Sequence, residues 1–246
     1  MKPTDFIIKA DMELQSIIEK SRRIVFFGGA GVSTESGIPD FRSADGIYNM
    51  KYDVPPEIII SHSYFVSYPE KFYEFYKDKM IYKNATPNKA HFKLAELERV
   101  GKLKSVVTQN IDGLHQFAGS KNVYELHGSI HRNYCTKCRK FYTLEYILSC
   151  TGVPYCDCGG IIKPDVVLYE EQLDEATISG AVESISNADA LIVAGTSLTV
   201  YPAAGMIRYF NGDDLILINR EETPYDNYAS LIIHDKVGEV LDKIIV

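Results

Sequence analysis

The 246-residue sequence lacks the features that mark several specialised classes of protein. No apolar run approaches the roughly 20 residues that a membrane-spanning helix needs. The first residues, Met1 to Asp5, do not form the charged segment, apolar core and cleavage site of a secretory signal. Internal repeats and low-complexity stretches are absent as well. We therefore expect a globular protein with no membrane partner and, by default, a cytoplasmic location.

Basic residues are also in short supply. The chain has 26 Lys and Arg against 33 Asp and Glu, which gives a formal net charge of −7. Nucleic-acid binding needs Lys and Arg to neutralise phosphates, so this balance argues against a nucleic-acid partner. A basic peptide is still compatible, because long-range attraction would favour it.

Cysteine is scarce, and all five cysteines lie between Cys135 and Cys158. In a cytoplasmic chain such clustering favours a metal site over disulfides. Cys135 and Cys138 form one pair, Cys156 and Cys158 form a second, and four thiolates are typical ligands of a structural zinc ion. Cys150 is the remaining candidate if the short second pair does not reach the metal.

Strand and helix signals alternate along most of the chain. Continuous apolar runs indicate buried strands, and apolar residues at helical spacing indicate helices. The predicted strands cover residues 24–27, 103–108, 123–126, 190–194, 215–218 and 231–233. The predicted helices cover residues 11–20, 88–100, 177–186, 202–210 and 237–245. This alternation predicts an α/β fold, with a Rossmann-like parallel sheet and helices on both faces.

Two stretches break the alternation, a Tyr-, Phe- and Pro-rich stretch at about 37–82 and the cysteine-bearing stretch at about 132–163. We interpret them as the helical and zinc-binding parts of a smaller module within a single domain that spans the whole chain. The large, Rossmann-like part then comprises about 10–36, 83–131 and 164–246. The cleft between the two parts is the expected binding site.

The turn Gly28-Gly29-Ala30-Gly31 follows the first predicted strand. Glycines at such a turn let the backbone approach a pyrophosphate closely, and free amides at the next helix start bind it. However, Thr34 stands where the dinucleotide fingerprint has its third glycine. The fingerprint also has an acidic residue at the end of the next strand, and Asp45 and Asp53 follow no strand signal. A hydride-transferring dehydrogenase is thus poorly supported, and a tight turn without a ligand stays open for this segment alone.

Four motifs in fixed order are more specific than this turn. The motifs are Gly29-Ala30-Gly31-Val32-Ser33, Gly37-Ile38-Pro39-Asp40-Phe41-Arg42, Thr108-Gln109-Asn110-Ile111-Asp112 and His127-Gly128. Together they strongly resemble the motifs of the sirtuins, which are NAD-dependent protein-lysine deacetylases, and the resemblance runs from about Ser21 to the C-terminus.

The resemblance implies a reaction in which the acetyl group of a lysine passes to the ADP-ribose of NAD, with release of nicotinamide and O-acetyl-ADP-ribose. His127 would be the catalytic base, a role that suits a side chain titrating near neutral pH. Asn110 would order water or ribose, and Asp112 would accept a hydrogen bond from the nicotinamide amide. The cofactor-binding residues that the resemblance implies are Ala30, Thr34, Phe41, Arg42, Gln109, Ile111, Asp112, Thr196, Ser197, Asn219 and Lys236. The histidines expected to be structural or exposed are His62, His91, His115, His131 and His234.

The resemblance further implies that acetylated lysine peptides or proteins bind as an added strand near Val166 to Glu171. The family's Phe-Gly-Glu is replaced here by Tyr169-Glu170-Glu171, and its second cysteine pair is one residue longer. Sirtuins that remove acidic acyl groups carry a Tyr-x-x-Arg pair, where this chain has Tyr76 and Lys79. Lys is a poorer carboxylate clamp than Arg, so we favour acetyl-lysine and leave longer apolar groups and weak desuccinylation open.

Two other functions are compatible with parts of this pattern. Mono-ADP-ribosylation would use the same cleavage of NAD with another acceptor, and would leave ADP-ribose on protein. A non-catalytic NAD sensor or a zinc-ribbon binding module would need neither His127 nor Asp112 in these contexts.

Overall fold

The computed structural model describes residues 3–41, 46–47 and 52–246. The helices of this part are α1 (Pro3–Lys20), α2 (Pro56–Ile59), α3 (His62–Ser67), α4 (Pro69–Phe75), α5 (Lys89–Arg99), α6 (Leu114–Phe117), α7 (Leu144–Ser149), α8 (Glu175–Ser186) and α9 (Val237–Asp242). The strands are β1 (Ile24–Gly28), β2 (Leu103–Thr108), β3 (Val123–Glu125), β4 (Gly128–Cys135), β5 (Phe141–Tyr142), β6 (Ile162–Val166), β7 (Ala190–Ala194), β8 (Asp214–Ile218) and β9 (Leu231–Ile233). Short 3-10 segments cover Ala30–Val32, Thr34–Ser36, Ala203–Tyr209 and Asp226–Tyr228, and a π-helical turn covers Tyr76–Met80.

Six of the strands form one parallel sheet in the order β3-β2-β1-β7-β8-β9. The predicted strands are all present, and the predicted fold class is confirmed. The helix boundaries differ more. Helix α1 begins at Pro3 because proline is well tolerated in a first helical turn. The helix predicted at 202–210 is a 3-10 segment, in which Gly205 N donates to Pro202 O at 3.0 Å.

Strand β1 shows why the sheet is covered on both faces. All five of its residues are buried, which is the pattern of a strand in the middle of a two-sided parallel sheet. Ile24 and Phe26 pack with α1, α5 and α9 on one face. Val25 and Phe27 pack with α8 on the other face. Each such side chain stabilises the fold by roughly 1.5–3 kcal/mol through burial alone.

The other three strands form a separate antiparallel sheet in the order β5-β4-β6. This sheet packs against helices α2, α3, α4 and α7 through a second hydrophobic cluster that is rich in aromatic rings. Phe72 stacks on Tyr76 with centroids 5.6 Å apart, and Tyr73 donates a hydrogen bond to Ile162 O. The two stretches that break the strand–helix alternation therefore meet in one cluster. The module boundaries proposed above stay predictions. Within the described ranges, no helix is both long and apolar enough to cross a membrane.

The turns after β1 and β7 touch each other at the carboxyl edge of the large sheet. Gly31 N donates to Gly195 O at 2.8 Å, and Gly29 N donates to Ala194 O at 3.2 Å. Gly195 has φ +59°, and a Cβ atom there would lie 2.5 Å from Val32 N. The position therefore requires glycine twice over, for its backbone conformation and for the close approach.

Replacing Gly195 by alanine should separate these two requirements. In Gly195→Ala we expect a loss of at least about 3 kcal/mol in the free energy of unfolding, since overpacking adds to the cost of a left-handed residue. Gly37→Ala is the matched control, because Gly37 has φ +81° and nothing lies within 4 Å of a Cβ there. That control should lose about 1 kcal/mol. Urea unfolding measures both values, and equal losses would contradict the close-approach argument.

Candidate active site

A cleft of about 650 Å³ opens at the carboxyl ends of the parallel strands, between the large sheet and the aromatic cluster. This is the edge at which open α/β sheets bind their ligands. The predicted site residues that line the cleft are Ala30, Thr34, Phe41, Gln109, Asn110, Ile111, Asp112, His127, Thr196, Ser197, Asn219 and Lys236. Arg42 lies outside the described residues.

His127 lies between β3 and β4 and lines the cleft. Its Nδ1 is 2.9 Å from Gln109 O. A carbonyl oxygen only accepts, so Nδ1 carries the proton and Nε2 keeps a lone pair. Burial lowers the pKa of His127, and the bond to Gln109 opposes that shift. The ring is therefore held in a neutral form that can accept a proton at Nε2.

The residue after His127 has no room for a side chain. Gly128 has φ +75°, and a Cβ atom there would collide with Asp165 O on β6. Val167 N also donates to His127 O at 3.0 Å. These contacts hold the backbone of His127 and Gly128 close to β6 and to the residue that follows it.

Asp112 is held by two donors from different parts of the chain. Ser33 Oγ donates to its Oδ2 at 2.7 Å, and Leu114 N donates to its Oδ1 at 2.9 Å. Asn110 Nδ2 in turn donates to Ser33 Oγ at 3.0 Å. Burial raises the pKa of Asp112, and the bonds from Ser33 and Leu114 oppose the shift. The three side chains thus form one buried polar chain, Asn110–Ser33–Asp112.

Ser33 is the member of this chain that the sequence analysis did not single out. It is 1% exposed and links two predicted site residues. Its place as the last residue of the first glycine-rich motif was the available signal. A buried hydroxyl between an amide and a carboxylate fixes the orientation of both partners.

The opposite end of the cleft is formed by the turns after β7, β8 and β9. Gln109 Nε2 donates to Thr196 Oγ1 at 3.0 Å, and this connects the turn after β2 with the turn after β7. Asn219 Nδ2 donates to Glu221 O at 2.8 Å, and Lys236 N donates to Asp235 Oδ1 at 2.8 Å. These polar side chains follow successive parallel strands, which places them along one edge.

The segment from Val166 to Glu171 forms the wall of the cleft next to α3. Tyr169 N donates to Ile60 O, and His62 N donates to Tyr169 O, both at 3.0 Å. Glu170 has φ +76°, a conformation that favours glycine. Its carboxylate accepts hydrogen bonds from Ser63 N at 2.9 Å and Ser63 Oγ at 3.0 Å. These two hydrogen bonds connect the Glu170 side chain to the first turn of α3.

The remaining histidines differ in their surroundings. His91 and His115 are buried against each other with ring centroids 4.7 Å apart, and His62 pairs with Glu171. His234 is exposed and its Nδ1 lies 3.0 Å from Asn219 O. His131, in contrast, is half-buried in the wall of the cleft.

Comparison with known proteins agrees with this geometry. The model of the Sir2 family matches residues 29–202. An NAD-dependent protein deacetylase of Clostridium acetobutylicum is 62% identical over 237 residues, which cover 95% of this chain and 97% of the relative. The chain belongs to the Sir2 family. An NAD-dependent protein deacetylase of Staphylococcus aureus is 48% identical over 238 residues, with 95% of this chain and 98% of that one covered.

Solved structures of Sir2 proteins match over nearly the whole chain. One, a Sir2 variant with a deacetylated p53 peptide and 3'-O-acetyl ADP ribose, has 41% identity and a TM-score of 0.87, covering 94% of this chain and 96% of that chain. Another, Sir2 with a p53 peptide and NAD+, has 40% identity and a TM-score of 0.80, covering 98% and 96%. The predicted family, the sirtuins, is confirmed.

Tyr76 and Lys79, the pair compared with that of sirtuins that remove acidic acyl groups, lie in two different environments. Tyr76 is fully buried in the aromatic cluster and does not line the cleft. Lys79 lines the cleft and pairs with Asp78 at 2.9 Å. The two side chains therefore do not form a joint carboxylate clamp in this conformation.

The four cysteines of the two predicted pairs come together at the end of β4. Their sulfur atoms all lie within 4.8 Å of one another, with Cys135 and Cys158 at 3.4 Å and Cys138 and Cys156 at 3.6 Å. Tetrahedral zinc with Zn–S bonds of about 2.3 Å holds its sulfurs about 3.8 Å apart. The cluster is therefore consistent with a structural zinc ion.

The surroundings of the cluster explain how the short second pair reaches the metal position. Gly159 has φ +77°, and a Cβ on Gly160 would lie 2.7 Å from Cys135 Sγ. Amides of Cys138 and Lys137 donate to Cys135 Sγ and lower the pKa of this thiol to about 6. The left-handed Gly159 and the small Gly160 thus accommodate the shorter second pair, while the two amides stabilise the Cys135 thiolate.

Two neighbouring side chains complete the description of the cysteine cluster. Tyr142 donates its hydroxyl proton to Cys156 Sγ at 3.0 Å. Cys150 lies apart from the four cysteines, and its thiol donates to Tyr146 O at 3.3 Å. The alternative that left Cys150 as a ligand is thus not supported by this arrangement.

Removing the tyrosine hydroxyl should weaken metal retention without changing the ligands. For Tyr142→Phe we expect about tenfold faster zinc release to a chromogenic chelator, since partners of metal ligands typically contribute this much to affinity. Cys150→Ala is the control and should keep one zinc per chain by elemental analysis. Loss of zinc from Cys150→Ala, or release at the wild-type rate from Tyr142→Phe, would contradict this assignment.

Proposed function

We propose that the protein is an NAD-dependent protein-lysine deacetylase, which transfers acetyl from lysine to ADP-ribose with release of nicotinamide and O-acetyl-ADP-ribose. The observation that carries the proposal is the state of His127, whose Nδ1 is bound to Gln109 O in a cleft that also holds the Asn110–Ser33–Asp112 chain. The relatives named NAD-dependent protein deacetylase, at up to 62% identity, support it.

His127 acts as the general base in this proposal. Its neutral Nε2 would take the proton of a ribose hydroxyl of bound NAD, which would make that oxygen a nucleophile toward the acyl carbon. One water would be consumed as free lysine and O-acetyl-ADP-ribose leave. NAD supplies the ADP-ribose acceptor and nicotinamide as the leaving group. The hydrogen bond from Nδ1 to Gln109 O stabilises the imidazolium that forms when Nε2 is protonated.

Asp112 and Ile111 recognise the carboxamide of nicotinamide. The Asp112 carboxylate accepts from the amide nitrogen, and the backbone of Ile111 contacts the same group. Asn110 orders a water molecule or the ribose, and Phe41 shields the anomeric carbon from water. Because Ser33 and Leu114 N already orient Asp112, the carboxylate meets its ligand with little further ordering.

The remaining cofactor contacts follow the edge of the sheet. Ala30 and Thr34 lie at the phosphates, where a small residue and a nearby donor suit the tight turn, and Arg42 offers its guanidinium to the same charge. Thr196 and Ser197 contact ribose. Asn219 and Lys236 lie on the adenine side, as expected from their position after β8 and β9.

Acetylated lysine peptides or proteins pair with the segment from Val166 to Glu171 as an added strand. That segment already has one side bound to β4 and to residues 60–62. Solved structures of Sir2 relatives with a p53 peptide or a propionylated peptide support a peptide partner. Acetyl-lysine is the favoured substrate, because Tyr76 is buried away from the cleft.

The zinc ion is structural, with Cys135, Cys138, Cys156 and Cys158 as ligands. Four thiolates leave no open coordination position, so zinc holds the small module together and takes no part in the chemistry. A cytoplasmic location belongs to the same proposal, because thiols that bind metal must remain reduced.

The direct test incubates the purified protein with an acetyl-lysine peptide, with and without NAD, and follows the products by mass spectrometry. We expect nicotinamide and O-acetyl-ADP-ribose in equal amounts, only with NAD, and a loss of about 10²- to 10⁴-fold in His127→Ala, as is typical for a general base. Nicotinamide with ADP-ribose on protein instead would favour ADP-ribosyl transfer. NAD binding without turnover would favour a sensor.

The pH profile is the second arm of this test. Burial lowers the pKa of His127, so its neutral form persists to lower pH than that of an ordinary histidine. The acid limb of kcat/KM should therefore have its midpoint below about pH 6.5. A midpoint above that value would contradict the assignment of His127 as a buried base.

Glu170 should affect peptide binding and leave the cofactor site unchanged. In Glu170→Gly we expect the KM for the acetyl peptide to rise about three- to tenfold, because the segment loses two hydrogen bonds to Ser63 that order it. NAD affinity should stay at the wild-type value. Glu170→Gln keeps an acceptor oxygen and should resemble wild type. An unchanged peptide KM in Glu170→Gly would show that peptide binding does not depend on the hydrogen bonds between Glu170 and Ser63.

A further inference from the structure

Strand β4 turns away from its partner in the middle of the cleft wall. Its pairing with β6 runs through Gly128 and Ser129, shifts register, and resumes at Asn133. Within this irregular stretch Ile130 N donates to Ile111 O at 3.1 Å. Irregularities of this kind near active sites commonly redirect a side chain. Here the redirected residue is His131.

The His131 ring contacts the turn that carries Asp112 and helix α6, which follows that turn. Its Nε2 lies 2.9 Å from Asp112 O, and a carbonyl oxygen accepts, so Nε2 is the donor. The ring also covers Gly113, where a Cβ atom would lie 2.9 Å from His131 Cδ2. Phe117 packs edge-on against it at 5.1 Å between centroids. A hydrogen bond, a close approach to Gly113 and a ring contact with Phe117 thus all involve the imidazole of His131.

We propose that His131 is a positioning residue for the nicotinamide carboxamide, a role that rests on the proposed function of the cleft. The carbonyls of Ile111 and Asp112 are fixed in succession by Ile130 N and His131 Nε2. Leu114 N, one of the two donors to the Asp112 carboxylate, follows directly in the same stretch of backbone. A shift of this backbone would therefore move the carboxylate and this donor relative to Ser33 Oγ, the other donor. His131 touches neither the acyl group nor the ribose in this role.

The position of His131 also separates its effect from that of the phosphate and adenine contacts. Those contacts come from the turns after β1, β7, β8 and β9, whereas His131 acts on the turn after β2 alone. Loss of its hydrogen bond should therefore weaken ligands that contain nicotinamide and spare ADP-ribose, which lacks it.

The test uses calorimetry on the full-length protein, with NAD and ADP-ribose titrated separately in the absence of peptide. His131→Phe keeps a ring over Gly113 and removes the donor, and we expect it to weaken NAD about three- to tenfold relative to ADP-ribose, the size of one lost hydrogen bond. His131→Gln retains a donor of similar reach and should restore the ratio to within about twofold of wild type. With peptide present, the nicotinamide inhibition constant should rise by the same factor in His131→Phe.

Two results would overturn the proposal. The first is an unchanged ratio in His131→Phe, whether or not both ligands weaken, and the second is failure of His131→Gln to restore the ratio. A wild-type protein that binds NAD but forms no O-acetyl-ADP-ribose would contradict the deacetylase function. The ratio of NAD to ADP-ribose affinity would still test the role of His131, because its measurement needs no turnover. A wild-type protein that does not bind NAD would overturn both.

Discussion

The contact between the turns after β1 and β7 determines where the polar groups of the cleft lie. Gly31 N and Gly195 O are joined at 2.8 Å, and neither residue has room for a side chain. Because the two backbones meet so closely, Thr196 comes within hydrogen-bond distance of Gln109, and Gln109 O in turn meets His127. The contact between Gly31 and Gly195 is thus connected to the His127 imidazole through Thr196 and Gln109.

The buried chain of Asn110, Ser33 and Asp112 is stable because each link has a donor and an acceptor. An unpaired carboxylate at this depth would cost several kcal/mol. Ser33 and Leu114 N supply the compensating hydrogen bonds, while burial still raises the pKa of Asp112. The same arrangement that satisfies the carboxylate also fixes its direction, so stability and recognition depend on the same bonds.

Much of this could be predicted from sequence because the signals were local. The continuous apolar run of β1 predicted a buried strand, and the motifs around Asp112 and His127 predicted cleft residues. Contacts between distant segments carried no such signal. The register shift of β4, the link from Ser33 to Asp112 and the left-handed Glu170 each depend on a partner far away in the chain.

The cysteines illustrate the same limit in another way. Spacing indicated two pairs and left Cys150 open. In the fold Cys150 follows α7, lies apart from the four clustered cysteines and donates its thiol to Tyr146 O. Tyr76 matched a substrate-binding pattern by position, yet packing against Phe72 places it in the core. In both cases tertiary packing, which spacing does not encode, decided the outcome.

Strand β4 connects the cleft with the cysteine cluster. It begins at Gly128, beside His127, and ends at Cys135, in the cysteine cluster, so one strand of eight residues connects them. Its ladder with β6 is interrupted halfway, between Ser129 and Asn133. Within the interruption, Ile130 N and His131 Nε2 bond to the turn that carries Asp112. The strand that ends in the cysteine cluster therefore also supports a wall of the cleft.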